Sequence, residues 1–169
     1  VHTVPEHTFA MIFALRRNLI AYREDVLRGR WQAQDQFCFF DHPIQDLHGS
    51  TLGIFGEGAL GQATAAIARA LGMRVLFADH APPKAPGVEF TDSDTVFAES
   101  DIISLHCPLT PASRNFIGIE QFKKMKRSAI LINTARGGLV DPQLLLEALR
   151  SGHLAAAGLD VFAHEPPPA

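Results

Sequence analysis

Short apolar runs alternate with amphipathic or turn-rich stretches along most of the chain, a rhythm that predicts strands separated by helices. Leu52, Ile54 and Phe55 make the first run, followed by Gly56-Glu57-Gly58-Ala59-Leu60-Gly61 and an Ala-rich helical stretch. A second run, Val75 to Ala78, ends in the carboxylate Asp79, and the Pro-rich stretch after it can continue neither strand nor helix. A strand at Val88 to Phe90, a helix starting near Ser93 and a strand at Ile102 to Leu105 follow. A basic helix is predicted over Glu120 to Lys126, a strand over Ala129 to Ile132, a helix over Asp141 to Ser151 and a last strand over Ala155 to Leu159. Repeated strand-helix alternation predicts an α/β fold, a doubly wound parallel sheet with helices on both faces.

The first 49 residues have a different texture. Thr3-Val4-Pro5-Glu6 reads as a capping box with proline in the first turn, and a single helix is predicted from Val4 to Arg28, stopped by Gly29. Phe9, Ile12, Phe13, Leu19, Ile20, Val26 and Leu27 follow a helical period, but Met11, Ala14 and Leu15 spread the apolar surface nearly all round its first half. Such a helix needs cover on two faces. From Trp31 to Gly49 no period is visible, and the stretch reads as an irregular arm whose Trp31, Phe37, Phe39 and Phe40 are too apolar to be left in water as a patch. A two-fold homodimer through helix and arm is the expectation. His42 and His48 share no ligand spacing with a cysteine or second histidine, so solvated or hydrogen-bonded loop histidines are expected and no metal.

Composition narrows the function. With 169 residues, 47% of them hydrophobic, residues 1–169 are expected to form one domain, with 1–49 as its helix and dimerisation arm. A net charge of -3 gives no electrostatic footprint for nucleic acid or an anionic membrane. Cys38 and Cys107 lie far apart, which suggests neither a disulfide framework nor zinc and fits a reducing cytoplasm. Neither a leader pattern nor an apolar run of the ~20 residues that span a bilayer is visible, so a soluble protein is expected.

The chemistry gathers around the glycine turn. Strand, glycines, helix, strand and acid stand in the order of a Rossmann-type dinucleotide site. Gly56 permits the tight turn, Gly58 lacks the Cβ that would hold a pyrophosphate away, and Gly61 lets the helix lie close on the sheet. The helix start at Ala59 and Leu60 offers N–H groups to phosphate. Asp79, about 20 residues further on, is placed to accept from both ribose hydroxyls. A 2'-phosphate would meet that carboxylate with no arginine in the stretch that follows, so NAD is expected over NADP. His106, at the end of a strand and stopped by Pro108, reads either as an acid or base or, with no visible carboxylate partner, as structural. Arg136 lies between a buried strand and two glycines, where a planar fork of donors suits a substrate carboxylate better than a structural ion pair.

Four segments together, Gly56–Gly61 with Asp79, His106–Pro111, Asn133–Asp141 and Gly158–Pro167, resemble the nicotinamide-binding domain of the D-isomer-specific 2-hydroxyacid dehydrogenases. The opening Thr3–Leu19 and Gly29-Arg30-Trp31 are similar to the glycerate dehydrogenase or hydroxypyruvate reductase branch. The resemblance implies that Arg136 binds the substrate carboxylate and keto oxygen, and that Glu165 pairs with a catalytic histidine. It also implies that Asp160 contacts the nicotinamide carboxamide, while Cys107, Pro108, Thr134 and Ala135 line the nicotinamide side. The implied reaction is hydride transfer between NAD(H) and a small 2-hydroxy or 2-keto acid, with a proton supplied to the forming alkoxide. The family's Pro-His segment and its second, substrate domain do not occur in this sequence, so His164 cannot take the histidine's place by sequence match and a fragment inactive by itself is expected. Glu57 stands where the family usually carries a neutral residue. A non-catalytic NAD-sensing module would keep the same motifs, and a Rossmann methyltransferase would share the turn and the acid but has no need of Arg136 and Glu165.

Overall fold

Six parallel strands, β1 (Thr51–Phe55), β2 (Arg74–Ala78), β3 (Glu89–Thr91), β4 (Ile102–Leu105), β5 (Ile130–Asn133) and β6 (Ala156–Leu159), form one sheet in the order β3-β2-β1-β4-β5-β6. The computed structural model describes residues 1–78 and 89–167. The predicted strand at Val88 to Phe90 is β3, displaced to Glu89–Thr91, with Val88 itself outside the described residues. Sequence order reverses at β1, which pairs with β2 on one side and β4 on the other, and a crevice opens at such a switch point beyond the carboxyl ends of the strands.

Alternation along the strands divides the core. Leu52 and Ile54 of β1, Val75 and Phe77 of β2, and Ile130 and Ile132 of β5 face one side, packed with Phe9, Ile12, Ala65 and Ala68. Phe55, Leu76, Ile103, Leu105 and Leu131 face the other, packed with Phe97, Phe122, Leu145 and Ala148. Helices α1 (Thr3–Arg16) and α3 (Ala59–Ala70) therefore cover one face, and α4 (Ser93–Glu99), α5 (Ile119–Lys124) and α6 (Pro142–Arg150) cover the other. Each large side chain so enclosed contributes roughly 1.5–3 kcal/mol relative to exposure. Local signals set the helix starts: Asp92 accepts from Thr95 N at 2.9 Å, and Asp141 caps α6 ahead of Pro142.

The N-terminal helix departs from expectation in two ways. The capping box does not form: Thr3 is already helical, and the N-cap, His2, makes no side-chain cap bond. Nor is the helix continuous from Val4 to Arg28, because α1 ends at Arg16 and α2 (Leu19–Leu27) begins after Asn18, which is left-handed at φ 49°. Asparagine tolerates that conformation, and here its amide also donates to the Pro43 carbonyl.

The arm is irregular, as its sequence indicates, but it is pinned at its far end. Arg16 donates to Gln45 Oε1 and to the Asp46 carbonyl, Arg17 pairs with Asp46 at 2.6 Å, and Tyr22 donates to the His42 carbonyl at 2.6 Å. His42 pairs with Asp25 at 2.7 Å, a hydrogen-bonded histidine as expected. Phe39 is partly covered, 5.5 Å from the Tyr22 ring, so it belongs less to the apolar patch than its neighbours do. α2 buries none of its residues, and Leu27, Phe37 and Phe40 are 69%, 89% and 78% exposed.

Candidate functional site

Gly56 leaves β1 with φ +113°, and a Cβ on it would lie 2.5 Å from the backbone carbon of His106 and 2.6 Å from Cys107 N. The first glycine is thus required twice, by conformation and by the approach of the β4 terminus. A Cβ on Gly61 would lie 1.9 Å from the Gly56 carbonyl oxygen, so α3 can rest on the turn only because that position is bare. Gly58 differs. It is the N-cap of α3, makes no side-chain cap bond, and a Cβ there would meet nothing within 4 Å. Internal packing makes no demand for glycine at this point, whereas a ligand approaching the backbone would. The first-turn N–H groups at Ala59, Leu60 and Gly61, which have no acceptor within the helix, stand beside it. These features fit a pyrophosphate. Asp79, assigned to the ribose, lies outside the described residues; β2, which leads to it, ends at Ala78.

Beyond β4, β5 and β6 the same edge carries the other expected residues. Val4, Leu60, Cys107, Pro108, Thr134 and Arg136 are among those lining a cleft of ≈ 620 Å³, to which His106 and Ala135 also contribute. A second cleft of ≈ 550 Å³ is lined by Arg114, Arg136, Phe162, His164 and Glu165 among others. Arg136 borders both, and among the described residues its guanidinium has no carboxylate partner and donates only to the Ala135 carbonyl, at 2.6 Å. The structural ion pair that competed for this residue is not formed there. Glu165 accepts from Phe162 N at 2.8 Å, which turns its carboxylate onto its own loop within that second cleft. Asp160 follows β6 directly, its N–H donating to the Asn133 carbonyl at 3.0 Å.

His106 resolves toward the structural reading. Its Nε2 lies 2.9 Å from Ser104 Oγ, a buried strand residue, and burial lowers its pKa to about 4. Burial therefore favours the neutral ring near pH 7, which argues against an imidazolium acid at this position. Burial also pushes the Cys107 thiol up, away from thiolate. Between pH 6.5 and about 4 the unfolded chain protonates at His106 while the folded chain does not, so stability falls as pH drops through that window. The loss attributable to this histidine is about 3 kcal/mol when complete. Denaturant unfolding at pH 7 and pH 4.5 should show a smaller pH-dependent loss in His106→Asn than in the parent; equal losses would contradict the assignment.

Four residues of this edge escaped the sequence reading. Val4 lines the first cleft, Thr8 Oγ1 lies 3.2 Å from Thr134 Oγ1, and His7 Nε2 lies 3.3 Å from Asp160 Oδ1, all from α1. Nothing in a helical period announces contacts more than a hundred residues away. Asn133, 1% exposed, donates to the Arg136 carbonyl at 2.9 Å and accepts from Ala135 N at 3.1 Å, which shapes the loop holding Thr134, Ala135 and Arg136. A polar residue closing an otherwise apolar strand was the available signal. Among the described residues no group of His, Cys, Asp or Glu is arranged to hold a metal ion, and no helix is long and apolar enough to cross a membrane.

A parallel sheet in this order, with a glycine turn at its switch point and an uncapped helix start beside it, defines a dinucleotide-binding domain of the Rossmann type. The family model for the D-isomer specific 2-hydroxyacid dehydrogenase NAD binding domain matches residues 9–169, and the chain belongs to that family. It is 55% identical over 166 residues to a glycerate dehydrogenase of Methylorubrum extorquens, an alignment that covers 98% of this chain and 52% of that protein. The NAD-complexed D-isomer specific 2-hydroxyacid dehydrogenase of Lactobacillus delbrueckii ssp. bulgaricus superposes with a TM-score of 0.84 at 35% identity, over 98% of this chain and 51% of that one. A Thermus thermophilus protein superposes with a TM-score of 0.87 at 41% identity, again over 98% and 51%. The chain spans about half the length of the curated relatives it matches. Within the family the likeness is to the glycerate dehydrogenase and hydroxypyruvate reductase branch, and NAD is the cofactor the domain is built for. The methyltransferase alternative falls with this assignment.

Proposed function

We propose that the chain is the cofactor-binding part of an NAD-dependent D-2-hydroxyacid dehydrogenase acting on a small 2-keto acid such as hydroxypyruvate or glyoxylate, and in reverse on the 2-hydroxy acid. The observation that carries this reading is Arg136, a guanidinium with no carboxylate partner among the described residues, bordering both clefts with Glu165 on the second. Gly58 and the first turn of α3 hold the pyrophosphate, Asp79 the adenosine ribose, and Cys107, Pro108, Thr134, Ala135 and Asp160 the nicotinamide half. When bound, the dinucleotide supplies or accepts the hydride at its nicotinamide ring. Arg136 receives the substrate carboxylate and draws electron density from the keto oxygen, which fixes the carbon to be reduced and stabilises the charge that develops on oxygen. Glu165 holds an imidazole in its protonated form, ready to donate to that oxygen. The histidine of the family's Pro-His segment serves as that acid, and the substrate-binding domain closes the cleft; neither is among these 169 residues.

The test measures NADH oxidation with hydroxypyruvate and glyoxylate by a protein carrying the complete two-domain site, beside the 169-residue chain. The complete protein turns over and the chain binds NADH without detectable turnover. A binding-only, NAD-sensing role would be indicated by no turnover from either, and a rate for the chain within tenfold of the complete protein would return the acid's role to His106 or His164. Binding of NADPH at least about tenfold weaker than NADH, a difference of about 1.4 kcal/mol, is expected from Asp79. Comparable dissociation constants by calorimetry would remove that residue from its role.

Self-association completes the proposal. α2 buries none of its residues within the chain, its last residue Leu27 is exposed, and so are Phe37 and Phe40 of the arm, so a two-fold dimer through helix and arm gives them cover. Sedimentation of the parent at micromolar concentration should show a dimer, and Phe37→Asp combined with Phe40→Asp should shift it to monomer. A parent that sediments only as monomer would refute the interface.

A further inference from the structure

The Asp160 carboxylate has one side-chain partner among the described residues, and that partner comes from the opposite end of the chain. His7 Nε2 stands 3.3 Å from Asp160 Oδ1, with both side chains 51% exposed. The contact is held from beneath. Thr8, the next residue, is fully buried and meets Thr134 Oγ1 at 3.2 Å, and Pro5, Phe9 and Ile12 bury the same side of α1. His7 therefore projects from a helix that cannot shift without disturbing the core. The backbone of Asp160 is fixed as well, through its N–H on the Asn133 carbonyl. What remains free is the rotation of the aspartate side chain, and His7 is the group that restrains it.

As a stability device the contact has little purpose, since half-exposed polar contacts contribute little to folding. As a positioning device its purpose is clear. A carboxylate that must accept from a neutral amide binds best when its rotamer is set beforehand, because an unrestrained side chain has to be ordered at the moment of binding. We propose that His7 is a positioning residue which holds the Asp160 carboxylate in the orientation that receives the nicotinamide carboxamide, making α1 a working wall of the cofactor cleft. The inference rests on the reading of Asp160 as the nicotinamide contact.

The experiment compares two ligands on the same chain, NADH and ADP-ribose, the second lacking the nicotinamide ring. His7→Ala should weaken NADH about three- to tenfold and leave ADP-ribose within twofold of the parent, the scale expected from releasing one ordered side chain. His7→Gln, which returns an N–H donor at similar reach, should recover most of the loss. Asp160→Ala should weaken NADH at least as much as His7→Ala, and the double variant should be no worse than Asp160→Ala alone, because the two residues act as one unit. A merely structural histidine would weaken both ligands alike, and that result overturns the proposal. If Asp160→Ala weakens NADH while His7→Ala does not, His7 loses its role and the reading of Asp160 stands. If Asp160→Ala leaves NADH unchanged, the reading of Asp160 fails and the proposal fails with it.

Discussion

Gly56→Ala should destabilise the chain by about 3 kcal/mol or more and abolish measurable NADH binding. Two independent penalties meet at this residue. Its φ of +113° lies where L residues are strained, which costs of order 1–3 kcal/mol. The added methyl would also stand 2.5–2.6 Å from the backbone carbon and oxygen of His106 and from Cys107 N, atoms of the β4 terminus that cannot swing aside as a side chain would. Relief requires β1 and β4 to part at their carboxyl ends, where we propose that the turn receives its ligand. Gly58→Ala is the informative companion. Its methyl meets no protein atom within 4 Å, so unfolding should change by well under 1 kcal/mol while NADH affinity falls at least about tenfold. Denaturant unfolding and NADH titration on both variants separate the two cases. An unchanged affinity in Gly58→Ala would mean that the pyrophosphate does not lie against that backbone.

Arg136→Met should lower kcat/KM for 2-keto acids by about 10³-fold in a protein that carries the complete site, the scale of removing a principal donor to a developing oxyanion. The same change should leave stability and NADH affinity of the chain nearly untouched. The guanidinium is exposed, has no ion pair among the described residues, and its hydrogen bond to the preceding carbonyl can pass to water. Arg136→Lys keeps the charge but loses the fork of parallel donors, and should recover only a small part of the rate. Steady-state kinetics on both variants, with calorimetric NADH binding as control, decide it. If the Arg136→Met variant retained turnover within tenfold of the parent, substrate anchoring would have to pass to another cation, and Arg114, which lines the second cleft, is the candidate.

The alternation of apolar runs with helices is enough for the α/β class and for the strand positions to within a residue or two, and the glycine spacing marks the turn at which we propose the cofactor binds. These are local properties: a strand's period, a turn's need for a bare Cα and a capping aspartate all lie within a few neighbouring residues. The motif segments likewise identified Arg136, Asp160 and Glu165 as residues to follow. What those residues meet depends on how the elements pack together. The break at Asn18 depends on a carbonyl from the arm, at Pro43, and a helical period by itself runs straight through it. The reading of His106 turned on burial against Ser104, which depends on every element packed around β4. The contacts of Thr8 with Thr134 and of His7 with Asp160 join residues more than a hundred positions apart, brought together because α1 lies across the face of the sheet beside β5 and β6. A sequence records which side chains can form such contacts, but which of them meet is settled by strand order and helix placement, where burial of the whole core outweighs any single local preference.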